Sequence, residues 1–202
     1  METINYKDHE IKIEQEDGGD FNPREWDNTG TMVCFHGRYE LGDKHNLSVE
    51  EAKDILDRKD VVALPLFLYD HSGITISCKP FSCPWDSGQV GIIYVDYDRL
   101  KEEFSAKRVG PVLREKARKL LIGEVETYDQ YLRGDIWRFS IEHSDGSLVG
   151  SGGGFFGYDD CLAEAKSQVD YNVKHYLEVH QAQVKEWIKN KVPLKYREAS
   201  KV

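Results

Sequence analysis

The chain has 202 residues, enough for one sizeable core, and its 40% hydrophobic and 31% charged residues exclude a disordered polymer. No apolar run reaches the roughly 18 residues of a membrane span, and the polar N-terminus lacks a signal peptide's apolar core, so a cytoplasmic protein with no membrane partner is expected. The net charge of −9 argues against direct nucleic-acid binding, and it is unevenly spread: residues 1–30 carry nine acids against three bases, residues 166–202 eight bases against four acids.

Alternation in "YKDHEIKIEQED" predicts an N-terminal strand ending at the Asp17-Gly18-Gly19-Asp20 turn. The stretch "EWDNTGTMVCFHGRYELGDKH" follows as loop and strand. In "LSVEEAKDIL", Ser48 and Glu51 form a capping box at the start of a helix whose apolar face is Val49, Ala52, Ile55 and Leu56. "VVALPLFLY" reads as a buried strand in which Pro65, unable to donate to a ladder, requires an edge or a bulge. Asp70-His71-Ser72-Gly73 turns that strand into "ITISC", giving a hairpin, and "VGIIYV" is a further core strand ahead of a short helix in "DYDRLKEEF".

Pro111 suits the first position of a longer helix, since its missing N–H would be unpaired there. Leu113, Ala117, Leu120, Leu121, Val125, Tyr128 and Tyr131 recur at helical spacing up to a stop at Gly134. "IWRFSIEH" and "SLVGSGGGFF" form a second hairpin about Asp145-Gly146. A last helix starts near Asp159 and reaches toward Asn190, about 45 Å at 1.5 Å per residue. Strand pairs joined by short turns, with helices between and after them, define an α+β fold: a mainly antiparallel sheet of two or more hairpins, packed by three to four helices. Residues 1–157 are expected as one α+β domain with an acidic N-terminal strand and loop. Residues 158–202 are expected as a long C-terminal helix and basic tail, packed on that domain or projecting from it.

Cys34, Cys78, Cys83 and Cys161 are too scattered for a disulfide framework, and most of them read as buried thiols. Cys34-x-His36 and Cys78-x4-Cys83 contain ligating side chains but lack the tight Cys-x2-Cys spacing of a zinc knuckle, so no metal and no cofactor is expected. Asp86-Ser87-Gly88 repeats the tripeptide around a protease serine. The predicted helices do not fit a double β-barrel, however, and a turn before the strand is expected instead. Gly152-x-Gly154-x-x-Gly157 sits between a strand and a helix as a phosphate loop would. Asp159 and Asp160 at the helix start would repel an anion, which favours a structural role for the glycines. Arg133-Gly134-Asp135 reads as the helix stop. No catalytic residues are assigned.

The remaining polar and aromatic residues gather in or beside loops: Trp26, Asp27, Arg38, Tyr39, Asp43, His45, Asp70, His71, Trp85 and Asp86. Loops on a rigid sheet are where recognition usually resides, and aromatic and Arg side chains are its usual anchors, so this set is the candidate binding surface. Asp17, Asp20, Glu25 and Asp27 form a second candidate, an acidic patch able to occupy a groove built for nucleic acid.

"FNPREWDNTGTMVCFHGRYELGDKHN", "LPLFLYDHSGITISCKPFSCPWDSGQVGIIYV" and "EVETYDQYLRGD" together resemble a family of uncharacterised proteins encoded by bacteriophages, prophages and other mobile elements. The resemblance covers roughly residues 20 to 165 and leaves out the basic C-terminal helix; no catalytic residue carries over from it. It implies a small accessory protein acting inside an infected bacterium. Its expected partner is a host protein or protein complex, which it would bind and inhibit, or whose ligand it would sequester. That is a counter-defence role of the anti-restriction or anti-CRISPR kind. The alternative expectation is a metal- or nucleotide-dependent enzyme using His36, His45, His71 and the loop aspartates. Self-association is expected, if anywhere, through the C-terminal helix.

Overall fold

The computed structural model describes residues 1–17 and 21–191. In chain order they form β1 (Glu2–Tyr6), β2 (His9–Gln15), a 3-10 turn (Pro23–Glu25), β3 (Thr31–Cys34), α1 (Val49–Asp57), β4 (Val61–Asp70), β5 (Ile74–Ser77), β6 (Ser87–Asp96), α2 (Tyr97–Glu103), α3 (Pro111–Leu132), β7 (Ile136–His143), β8 (Leu148–Phe156) and α4 (Tyr158–Lys191). The fold is α+β, with two four-stranded antiparallel sheets and a long C-terminal helix. Among the described residues no helix is long and apolar enough to cross a membrane. The chain divides into two compact units, one made of Met1–Glu14 and the chain from Trp137 onward, the other of Gln15–Ile136.

In the unit formed by Gln15–Ile136 the strand order is β3-β6-β4-β5. Residues of β6 alternate between two apolar layers: Ile93 and Val95 pack with Ala117, Leu121, Val125 and Tyr128 of α3, while Ile92 packs with Ala52 and Ile55 of α1. A strand covered on both faces reads as a continuous apolar run, which explains "VGIIYV". β5 pairs only with Phe67–Asp70 of β4, so Val61–Leu66 has an open edge on that side. Pro65 sits in that open segment, beside a register shift at Leu66/Phe67, where a missing N–H costs no ladder bond.

Local chemistry sets the helix ends. Ser48 and Glu51 form the full capping box of α1, although Val49, assigned to its apolar face, is exposed. Pro111 opens α3 behind Gly110, and Gly134, at φ 65°, follows its last turn in the left-handed region that glycine adopts without steric cost.

The other unit has strand order β1-β2-β7-β8. Ile11, Ile13, Phe139 and Ile141 of the sheet pack against Cys161, Ala165 and Val169, which lie four residues apart on one face of α4. The predicted single N-terminal strand is a hairpin, with Tyr6 opposite His9 in the register. Its two turn residues, Lys7 (φ 47°) and Asp8 (φ 60°), are both left-handed, as a tight hairpin with the right strand twist requires. The usual Asn-Gly or Asp-Gly signal is absent, which hid the turn. β7 and β8 close about Asp145-Gly146, where the Gly146 N–H donates to the His143 carbonyl at 2.8 Å.

One close approach is testable. Gly91 in β6 faces Cys34 of β3, and a Cβ there would stand 1.9 Å from the Val33 carbonyl oxygen. Gly91→Ala is expected to destabilise the protein by about 1–3 kcal/mol through backbone displacement. A Cβ at Gly123, inside α3, meets nothing within 4 Å. Gly123→Ala is therefore expected to stabilise by about 0.5–1 kcal/mol. Thermal denaturation of the two variants checks the opposed signs.

Candidate functional site

The start of β3 is held by a buried ion network. The Arg24 side chain is 3% exposed and donates to Asp43 at 2.9 and 2.7 Å, to Glu124 at 3.1 Å and to the Gly30 carbonyl at 2.7 Å. Asp43 also accepts from the Met32 N–H at 2.7 Å, and Glu124 from the Thr29 and Gly30 N–H groups at 2.9 and 3.1 Å. Burial alone would lower the Arg24 pKa, but hydrogen bonds and charges from Asp43 and Glu124 outweigh it and raise it above the ordinary guanidinium value. The same neighbourhood pushes the buried Cys34 thiol up to about 12, by desolvation first and the Asp43 charge second.

Asp43 thus belongs to this network. His45 turns its Nε2 to the Cys34 carbonyl at 3.0 Å and its ring edge to Phe35, and its buried Nδ1 has no hydrogen-bond partner among the described residues. Trp26 and Asp27 lie on the loop before β3, both exposed, with Asp27 3.3 Å from Arg99. Of the acidic candidates, Asp17, Glu25 and Asp27 are exposed residues of one unit, and Asp20 lies outside the described residues.

The remaining loop-cluster residues meet at the other end of β3. The β3–α1 loop brings Arg38 and Tyr39, the end of β4 brings Asp70, its turn brings His71, and the β5–β6 loop brings Trp85 and Asp86. The Asp70 N–H donates to the Asp86 carbonyl at 2.8 Å, tying the β4 end to the start of β6. A cleft of about 390 Å³ opens here, with His36, Arg38, Asp70, Trp85 and Asp86 in its walls.

His36 organises one side of it. The backbone N–H groups of Arg38 and Tyr39 donate to its Nδ1 at 3.3 and 3.2 Å, so the neutral ring carries its proton on Nε2, 3.8 Å from Asp70. Its ring stacks on Tyr39 with centroids 5.1 Å apart, and the Arg38 guanidinium lies 5.5 Å from the Tyr39 ring centre while pairing with Asp70. On the other side His71 stands 3.4 Å from Asp86, which also accepts from the Cys83 thiol at 3.6 Å. Ser87 donates its hydroxyl to the Cys83 carbonyl, so it faces no base. Among the described residues no three His, Cys, Asp or Glu side chains are grouped to hold a metal ion. His36 and Arg38 pair with Asp70, His71 pairs with Asp86, and Trp85 in the same wall is 91% exposed.

Sequence reasoning passed over a second cleft, of about 710 Å³, in the unit containing α4. Lys7, His9, His143 and Asp145 face Val173, Tyr176 and Leu177 across it. His9 donates from Nδ1 to the Lys7 carbonyl at 2.7 Å and meets His143 edge-on at 5.1 Å. Because β2 and β7 are antiparallel neighbours, the first residue of one lies beside the last of the other, and spacing along the chain carries no sign of that. Gly152 and Gly154 lie within β8, where a Cβ on Gly152 would stand 2.9 Å from the Phe139 ring.

These features define an α+β protein whose Gln15–Ile136 unit carries a loop-built polar cleft with an exposed tryptophan in its wall. Compared with protein-family models, curated proteins and solved structures, the chain matches none.

Two outcomes follow from the buried network. Arg24→Met leaves Asp43 and Glu124 without their counter-charge and is expected to cost about 3–5 kcal/mol, read as a lowered denaturation midpoint. With its pKa near 12, Cys34 holds about one thiolate in 10⁴ at pH 8, so native protein is expected to resist iodoacetamide there until unfolded, as peptide mass mapping will show.

Proposed function

We propose that the protein is a binding protein that docks on a host protein or complex through Arg38 and Trp85 of the cleft wall and the neighbouring exposed Tyr39, and blocks it. The observation that supports this reading is Trp85, 91% exposed in a cleft wall whose charged side chains are already paired. Trp, Tyr and Arg are the residue types that dominate binding hot spots, and a wall held by its own hydrogen bonds pays little entropy on docking. The resemblance to mobile-element accessory proteins supplies the setting, the cytoplasm of an infected bacterium, and the counter-defence purpose. The exposed acids Asp17, Glu25 and Asp27 suit a partner whose groove is basic.

A second reading, an enzyme, is favoured by the two His–Asp couples, His36 with Asp70 and His71 with Asp86. Affinity capture from infected cells with mass spectrometry, using the wild-type chain beside Trp85→Ala and Arg38→Ala, separates the two. The binding reading expects one enriched bacterial partner whose affinity falls at least about tenfold, or roughly 1.4 kcal/mol, in either variant at unchanged melting temperature. Retention of that partner by both variants, with catalytic turnover of a small molecule abolished by His71→Ala, would overturn it.

A further inference from the structure

The open edge of β4 has a defined hydrogen-bonding face. The Tyr97 N–H donates to the Asp60 carbonyl at 2.9 Å, which makes Asp60 and Tyr97 a hydrogen-bonded pair, and Val62, Leu64 and Leu66 repeat that pairing with β6. Val61, Ala63 and Pro65 therefore turn their backbone groups the other way, to the side where β5 pairs with Phe67–Asp70 and stops short of them. Pro65 offers only a carbonyl, but Val61 and Ala63 present both N–H and C=O, and among the described residues no hydrogen bond reaches those groups. From Val61 to Pro65 this is about 17 Å of edge at 3.4 Å per residue.

A cleft of about 370 Å³ opens along this edge, with Val61, Val62 and Ala63 in its lining. α1 covers one face of β4 and α3 the other, and bases enter the cleft from both sides: Arg58 and Lys59 just after α1, Arg114 and Arg118 one turn apart on α3. All four are exposed, and no acidic side chain lines the cleft. Arg58 pairs with Asp60 at 2.7 Å and Asp96 at 3.0 Å, and Arg118 stands 4.0 Å from Glu115, but Lys59 and Arg114 have no ion pair among the described residues. In a chain of net charge −9, such a cleft selects an anionic occupant.

The backbone says which anion. A second copy presenting its own β4 edge would bring the same four bases and be repelled, as charged side chains commonly guard sheet edges against self-pairing. The outward carbonyls of Val61, Ala63 and Pro65 would meet a phosphate backbone acceptor against acceptor, whereas a peptide strand answers donors and acceptors in turn. We propose that the β4 edge between Val61 and Pro65 takes an acidic, extended peptide of a partner protein as an added strand, its backbone bonded to Val61 and Ala63 and its carboxylates to Lys59, Arg114 and Arg118. Successive side chains of that strand point alternately toward the α1 and α3 sides, so acids at neighbouring positions reach both sets of bases. The site lies at the opposite end of β4 from Asp70 and its cleft, and is independent of them.

The probe is a fluorescent peptide of about ten residues in which pairs of glutamates alternate with pairs of threonines. Anisotropy is expected to show saturable binding to the full chain that weakens with salt. Arg114→Glu with Arg118→Glu is expected to weaken it at least about tenfold at unchanged melting temperature, because both side chains are exposed. N-methylation throughout the peptide keeps every carboxylate and is expected to abolish binding, since the ladder needs the peptide's N–H groups. The Val61 and Ala63 amides are expected to gain protection from hydrogen exchange as the peptide saturates. No binding at about 1 mM peptide, retained affinity of the N-methylated peptide, unchanged exchange at Val61 and Ala63, or tighter binding of duplex DNA that the same two substitutions abolish, would each overturn the proposal.

Discussion

The pairing of β4 with β6 is the constraint on which the Gln15–Ile136 unit depends. It runs from Val61 opposite Asp96 to Tyr69 opposite Ser87, and both faces of the pair are roofed by helices. Because the ladder is antiparallel, the last residues of β4 stand beside the first of β6. That alone brings Asp70 to Asp86, and the loops at that end inherit the arrangement. β3 then adds to the free edge of β6 at a point where Gly91 admits the Val33 carbonyl, and its far end delivers His36, Arg38 and Tyr39. The cleft is therefore a product of register: a slip of one residue between β4 and β6 would put Leu64 and Leu66 on the face opposite Ile93 and separate the two aspartates.

The two ends of β3 use charge differently. At its start, Arg24 is nearly inaccessible and fully matched, and its two carboxylates also accept backbone N–H groups that no strand neighbour could satisfy. Such a network holds the loop at Thr29 and Gly30 in one geometry, because any partial opening leaves a buried charge unpaired. At the far end, Arg38 pairs with Asp70 while remaining 68% exposed, where solvent screens the attraction and the pair contributes little to stability. One arginine is built into the fold, and the other stays at its surface.

What could be read from the amino-acid order follows the range of each interaction. The capping box at Ser48 and Glu51, the helix-opening Pro111, the helix-ending Gly134 and the turn at Asp145-Gly146 all act within a few residues, and their residue types announce them. Pro65 was legible too, as a demand for an open edge. The Lys7-Asp8 turn was not, because its left-handed backbone falls on residues that seldom signal it. In the cleft, the chemistry of Arg38, Tyr39, Asp70, His71, Trp85 and Asp86 marked them as candidates, but their convergence depends on strand register. Asp43 and His45 carry the same chemistry; only the fold places them on Arg24 and against the Cys34 carbonyl. The His9–His143 contact spans 134 positions, so no local pattern could reveal it.

The order of the strands also governs how the protein is made. β1 and β2 belong to a unit whose other members, β7, β8 and α4, come after Ile136 in the chain. The chain leaves and re-enters that unit at adjacent points, where the Glu16 N–H donates to the Ile136 carbonyl at 2.8 Å. A two-stranded hairpin is at best marginal on its own in water. On a ribosome adding about 5–20 residues per second, the β1–β2 hairpin waits for β7 while the intervening unit, complete in itself, has every contact it needs to fold first. Folding thus proceeds from the middle outward, and the earliest residues to emerge are among the last to find their partners.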